Sequence, residues 1–147
     1  MKKLIRFICI ILACGLLLVV PAQAAGAAES RASAFFCSYG TDLYITSSTS
    51  FQIWFDVVAN VGTSMQELGV SEIALYESPD QQSWTKVQTY LMDDYSQMVA
   101  ENTQSHGGYV TYDDAVTGYY YTARITFYAK NSRGIGEKDV YTEIIRM

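Results

Sequence analysis

YYYTARITFYAKN, residues Tyr119 to Asn131, is the stretch whose reading decides the fold. Tyr121, Ala123, Ile125, Phe127 and Ala129 fall on one side of an extended chain. Thr122, Arg124, Thr126, Tyr128 and Lys130 fall on the other. This period of two marks a strand with one buried face and one wet or partly wet face. The run contains no proline, and its nearest glycine, Gly118, stands just before it. Most of its side chains are β-branched or aromatic, types that suit a pleated surface. The pattern predicts a long central strand with the other strands paired to it or packed on it.

Working outward, Phe51 to Asn60 is the second strong strand. Phe51, Ile53, Phe55, Val57 and Ala59 form one face, and Trp54 and Val58 interrupt the polarity of the other. Val70 to Glu77 predicts a third strand and Trp84 to Tyr90 a fourth. The cluster Ser78-Pro79-Asp80-Gln81-Gln82-Ser83 joins them, with Pro79 and Asp80 as turn formers. Lys86 on the fourth suits an edge. Asp42 to Thr46 reads as a first edge strand, and Val61 to Leu68 as a loop. Leu91 to Gly108 reads either as an irregular connection or as a short helix over Asp94 to Glu101. Tyr109 to Tyr112 is a short strand and Asp113 to Gly118 a turn. Asn131 to Gly136 is a tight reversal, and Asp139 to Ile145 is the last strand. About seven strands with no strongly periodic helix predict an all-β fold, an antiparallel two-sheet sandwich, with a small barrel or jelly roll as the alternative.

The first 24 of the 147 residues have the grammar of a secretory signal peptide. Lys2, Lys3 and Arg6 precede an apolar run to Val20, and Pro21-Ala22-Gln23-Ala24 offers a cleavage site. The apolar core is shorter than the roughly 20 residues a spanning helix needs, which disfavours a retained anchor. Ile11-Leu12-Ala13-Cys14-Gly15 also resembles a bacterial lipoprotein box, with Cys14 as the lipidated residue. The expected organisation is a signal peptide over 1–24, an N-terminal tail over 25–40 and a β-sandwich domain over 41–147. The protein is expected to be secreted, with attachment at the cell surface as the alternative, and not membrane-embedded once the leader is cut.

Cleavage removes three of the 10 basic residues and none of the 15 acidic ones, so the net charge moves from −5 to about −8. Such a surface repels phosphate backbones, and nucleic acid is excluded as an expected partner. Cys9 and Cys14 leave with the leader. Cys37 then stands alone, and no internal disulfide can form.

Two stretches carry a family resemblance. Ala123 to Asn131, followed by Ser132-Arg133-Gly134, is similar to the penultimate strand and following turn of a fibronectin type III or related immunoglobulin-like module. Ile73 to Asp80, followed by Trp84-Thr85-Lys86-Val87, resembles the strand–turn–strand in which such modules place a tryptophan after an acidic turn. The resemblance implies an immunoglobulin/fibronectin type III-like sandwich and no chemistry. The tyrosine that such modules place at the start of the penultimate strand would fall at Ala123, where this chain supplies Tyr119, Tyr120 and Tyr121 instead. In general style the chain also resembles small exported proteins of Gram-positive bacteria.

No catalytic set is legible. The one histidine, His106, lies in a polar glycine-bordered segment, and no nucleophile framework surrounds any serine. Zinc lacks ligands, and no cofactor or metal site is expected. Asp93-Asp94 and Asp113-Asp114 are solvating turns, or loop ligands for calcium if they converge with Asp80. The chain is rich in aromatics, with 12 Tyr, 2 Trp and 6 Phe. Exposed tyrosine on a sheet suits protein contact or sugar stacking. Tyr120, Arg124 and Tyr128 share the outer parity of the central strand and are the expected recognition residues. The expected function is non-catalytic: a binding or structural module whose partner is an extracellular protein or a glycan, with a carbohydrate-active protein as the alternative.

Overall fold

The computed structural model describes residues 34–60 and 64–147. The signal peptide and the lipoprotein box lie outside the described residues. All strand pairs are antiparallel, and they form two sheets packed as a sandwich. The first sheet contains β1 (Phe36–Ile45), β2 (Phe51–Ala59) and β6 (Ser105–Tyr112), in the order β1-β2-β6. The second is built on β3 (Met65–Ser78) and β7 (Tyr120–Asn131). On the far edge of β3 lie β4 (Thr85–Leu91) and β5 (Val99–Thr103). On the far edge of β7 lie β8 (Gly134–Tyr141) and β9 (Ile145–Arg146).

The two strongest alternating runs meet across the core. Tyr121, Ala123, Ile125, Phe127 and Ala129 of β7 are buried, as are Phe51, Ile53, Phe55, Val57 and Ala59 of β2. The rings of Phe51 and Tyr121 lie 5.1 Å apart. Each large side chain so buried stabilises the fold by about 1.5–3 kcal/mol.

β1 begins at Phe36, ahead of the boundary expected at 41. Phe35 and Phe36 are core residues, and the Phe35 ring lies over Gly136 of β8, where an added Cβ would meet it at 2.6 Å. Cys37 is exposed, in a register shift between Phe36 and Ser38.

β3 is longer than the expected Val70 to Glu77 because a bulge changes its phase. Leu68 and Val70 face inward before a shift between Val70 and Glu72, and Ile73 and Leu75 face inward after it. A fixed period of two cannot join the halves, so Met65–Leu68 reads as loop in the sequence.

The stretch Leu91 to Gly108 is neither an irregular connection nor a helix over Asp94 to Glu101. The N–H groups of Asp94 and Tyr95 both bond the Leu91 carbonyl, each at 3.0 Å. One 3-10 turn follows over Ser96–Met98, and Met98 is fully buried. β5 then pairs with β3, and the chain crosses to β6 in the other sheet. The last expected strand likewise divides into β8 and β9, so the described residues form nine strands where about seven were expected.

A buried tyrosine, Tyr121, stands near the start of β7, two residues before Ala123. The Tyr121 hydroxyl accepts from the Val116 N–H at 2.8 Å and donates to Glu77 Oε2 at 3.0 Å. A tyrosine that bonds back to the corner before its strand pins that connection. Burial is the main cause that pushes this hydroxyl up to about 12, partly offset by the Val116 N–H. Tyr121→Phe keeps the ring and removes both bonds, one of them to a carboxylate. It is expected to cost about 1–3 kcal/mol in chemical denaturation; an unchanged denaturation midpoint would mean that the corner is not structural.

Candidate functional site

Tyr120, Arg124 and Tyr128 lie on the outer face of the second sheet, as their parity requires. They are spread along β7. Tyr120 and Tyr128 are about 27 Å apart along the strand, and their outward groups already have partners in the chain. Arg124 Nη2 bonds Glu72 Oε1 at 2.6 Å, and Asp139 lies 3.9 Å from Nη1. Tyr128 is only 6% exposed, and its hydroxyl donates to Glu67 Oε2 at 2.9 Å. The Arg146 guanidinium sits 5.4 Å from the Tyr120 ring centroid.

Glu67 also takes Lys130 Nζ at 2.6 Å. The Lys130 hydrogen bond first, and the Tyr128 hydroxyl second, hold the Glu67 carboxyl below its ordinary value. A carboxyl depressed in the folded state adds stability above its unfolded pKa. That contribution is lost as pH falls through the lower, folded value. The pair is partly solvated, so the effect is small. Glu67→Gln is expected to flatten the acid-side fall of the melting temperature; parallel wild-type and variant curves from neutral to acid pH would refute it.

Thr122, between Tyr120 and Arg124, lies on the floor of a groove of about 460 Å³ walled by Tyr76, Trp84, Tyr141 and Ile144. Its two threonine hydroxyls are already bonded. Thr122 Oγ1 lies 3.4 Å from Thr142 Oγ1, which takes the Ala123 N–H at 3.0 Å.

A second concavity, of about 380 Å³, opens on the outer face of the first sheet. Strand register builds it. Asp42 is opposite Trp54, and Trp54 is opposite Tyr109. Gly40 and Gly107 flank Asp56 on either side. Inward-facing Leu43, Ile53, Phe55 and Val110 force Asp42, Tyr44, Trp54, Asp56 and Tyr109 outward together. Tyr44, Trp54 and Tyr109 are 55%, 39% and 43% exposed. The indole stacks on Tyr109 at 4.8 Å and meets Tyr44 edge-on at 6.0 Å and 74°. Trp54 Nε1 donates to Gln52 Oε1 at 3.0 Å, which fixes the ring.

The charge of this face is one-sided. Every lysine and arginine among the described residues belongs to the second sheet or its turns. Asp42 Oδ1 accepts the Leu43 N–H at 2.7 Å. The Asp56 carboxylate has no hydrogen-bond partner among the described residues, and neither aspartate has an ion-pair partner there. The arrangement can therefore stack a flat ligand and accept hydrogen bonds from its donors. A pocket of this size, mostly apolar with a few converging polar groups, has the anatomy of a small-ligand site.

His106 lies on β6 rather than in a loop. It donates from Nε2 to the Gln97 carbonyl at 2.8 Å and packs 5.8 Å from the Phe55 ring. Asp80 caps its own turn, accepting the N–H groups of Gln82 and Ser83 at 2.9 Å each. Among the described residues there is no group of three or more His, Cys, Asp or Glu placed to hold a metal. No described helix is long and apolar enough to cross a membrane.

The sequence marked Trp54 as out of place on a wet face. Tyr44 and Tyr109 had the same outward parity, but only strand register reveals the three as neighbours. Together they define a class, an antiparallel β-sandwich with an exposed aromatic face. No family model matches the chain, and no curated protein is similar to it.

Proposed function

We propose that the protein is an exported, non-catalytic binding module of the immunoglobulin/fibronectin type III class, and that it recognises a glycan through the outer face of the β1-β2-β6 sheet. The leader sequence supports export. Two features support the class. β1, β2 and β6 stand where strands A, B and E of an immunoglobulin sandwich stand, opposite β3, β7 and β8 as C, F and G. Tyr121 supplies the corner bond at the start of the strand that corresponds to F.

The observation that carries the ligand class is the Tyr44–Trp54–Tyr109 cluster beside a glycine-flanked trough with carboxylate acceptors. Sugar rings present C–H faces to aromatics and hydroxyl donors to carboxylates. The non-catalytic reading rests on His106, whose ring is tied to a backbone carbonyl rather than to a serine or an acid. The test is retention of the leaderless chain on a panel of insoluble polysaccharides, neutral and amine-bearing, with product analysis of the supernatant. Retention without release of reducing ends is expected. No retention on any glycan would overturn the ligand class, and release of reducing ends would overturn the non-catalytic reading.

A further inference from the structure

We propose that the trough beside Trp54 takes the protonated amine of an amino sugar, so that the preferred ligand is a glycan with free amino groups rather than a neutral or acidic one. This rests on the glycan-binding reading above and narrows it. Four features of the same surface point to a cation.

The first is Asp42 and Asp56, which sit on adjacent strands as diagonal neighbours. Such positions lie about 7–8 Å apart, close enough for one ammonium to lie between two carboxylates. The second is that neither carboxylate has an ion-pair partner among the described residues. The strands β1, β2 and β6 contain no lysine or arginine, although six basic residues stand elsewhere in the described chain. The second sheet pairs Glu67 with Lys130 and Glu72 with Arg124, so the absence of such pairing on this face is a local feature.

The third is the aromatic corner. Tyr44 and Trp54 meet at 74° with centroids 6.0 Å apart, and both border the same trough as the two aspartates. The face of an aromatic ring attracts a cation, with indole the strongest. The same rings stack a sugar's apolar face, so one wall serves both parts of an amino sugar. The fourth is the floor. A Cβ on Gly40 would collide with Asp56 Oδ1 and lie 3.1 Å from its Cγ. The carboxylate therefore lies directly over the glycine backbone, and only glycine leaves it there.

A protonated amine placed here makes hydrogen bonds in which donor and acceptor are both charged, whereas a hydroxyl or an N-acetyl group brings a neutral donor. An acidic sugar meets two like charges. The experiment compares glucosamine oligosaccharides with their N-acetylated counterparts of equal length by calorimetry at low and high salt. Wild-type protein, Asp56→Asn and Asp93→Asn are each measured. Asp93 lies on the turn after β4, away from the trough, and reports any general attraction of a cationic sugar to an acidic protein.

The amine-bearing oligomer is expected to bind about tenfold more tightly at low salt, with the gap narrowing as salt rises. Asp56→Asn is expected to reduce that preference about tenfold, while Asp93→Asn leaves it intact. Equal affinity for the two oligomers, or equal effects of the two substitutions, would overturn the inference and leave the glycan reading standing. If neither oligomer binds while a neutral polysaccharide does, the amine preference alone fails. If no glycan binds, both fail.

Discussion

Alanine at Gly69 is expected to cost about 3 kcal/mol of folding stability and to lower the melting temperature by roughly 10 °C. Gly69 lies in β3, where the 3-10 turn over Ser96–Met98 passes across the sheet and leads into β5. A Cβ there would run into the Met98 carbonyl oxygen, with Val99 Cα at 2.8 Å and the Met98 carbonyl carbon at 3.0 Å. All three are backbone atoms and cannot swing aside as a side chain would. Two ways out exist, and both lose structure. β3 can back away from Val99, its partner in the β3–β5 ladder. Alternatively, the crossing segment can lift and draw the fully buried Met98 side chain out of the core. The check is thermal and chemical denaturation of Gly69→Ala beside Gly118→Ala, where an added Cβ meets nothing within 4 Å. Gly118 has a φ of +89°, so its substitution carries backbone strain but no collision. A Gly69 variant no less stable than the Gly118 variant would mean that the crossing segment is not held against the sheet.

The second large effect is on binding. Trp54→Ala is expected to weaken glycan binding by about 2 kcal/mol, roughly thirtyfold in Kd. Trp54 is the middle ring of the cluster, stacked on Tyr109 and edge-on to Tyr44. Its loss removes the wall of the trough and the support of both neighbours. The cost in stability is smaller, about 0.2–1 kcal/mol, because a cross-strand aromatic pair on an open face contributes no more than that. Trp84→Ala is the comparison, since it empties a wall of the groove on the opposite sheet. If Trp84→Ala abolishes retention on polysaccharide and Trp54→Ala does not, recognition belongs to the second sheet.

The contrast between the two faces explains how much of the candidate site could be read beforehand. Tyr120, Arg124 and Tyr128 were expected to look outward, and their backbone positions do. Nothing along β7 announces that Glu67 and Glu72 stand on the neighbouring strand to take their hydrogen bonds. A charged or phenolic side chain of outward parity is available to a ligand only if its neighbours leave it free. On the other sheet, three aromatics drawn from β1, β2 and β6 became one surface only when the register set Trp54 opposite Tyr109 and diagonal to Tyr44.

Local sequence by itself determined the all-β class, the two principal strands and their buried faces. Burial on a pleated strand is written in every second residue; β2 carries that rhythm throughout and β7 carries it as far as Phe127. Tertiary structure alone decided the rest. The phase of β3 shifts at its bulge, the segment around Met98 folds only because β3 offers it a glycine to cross, and the aromatic face exists only where separate strands align. Each of these depends on contacts between residues distant along the chain, and such contacts leave no local period to read.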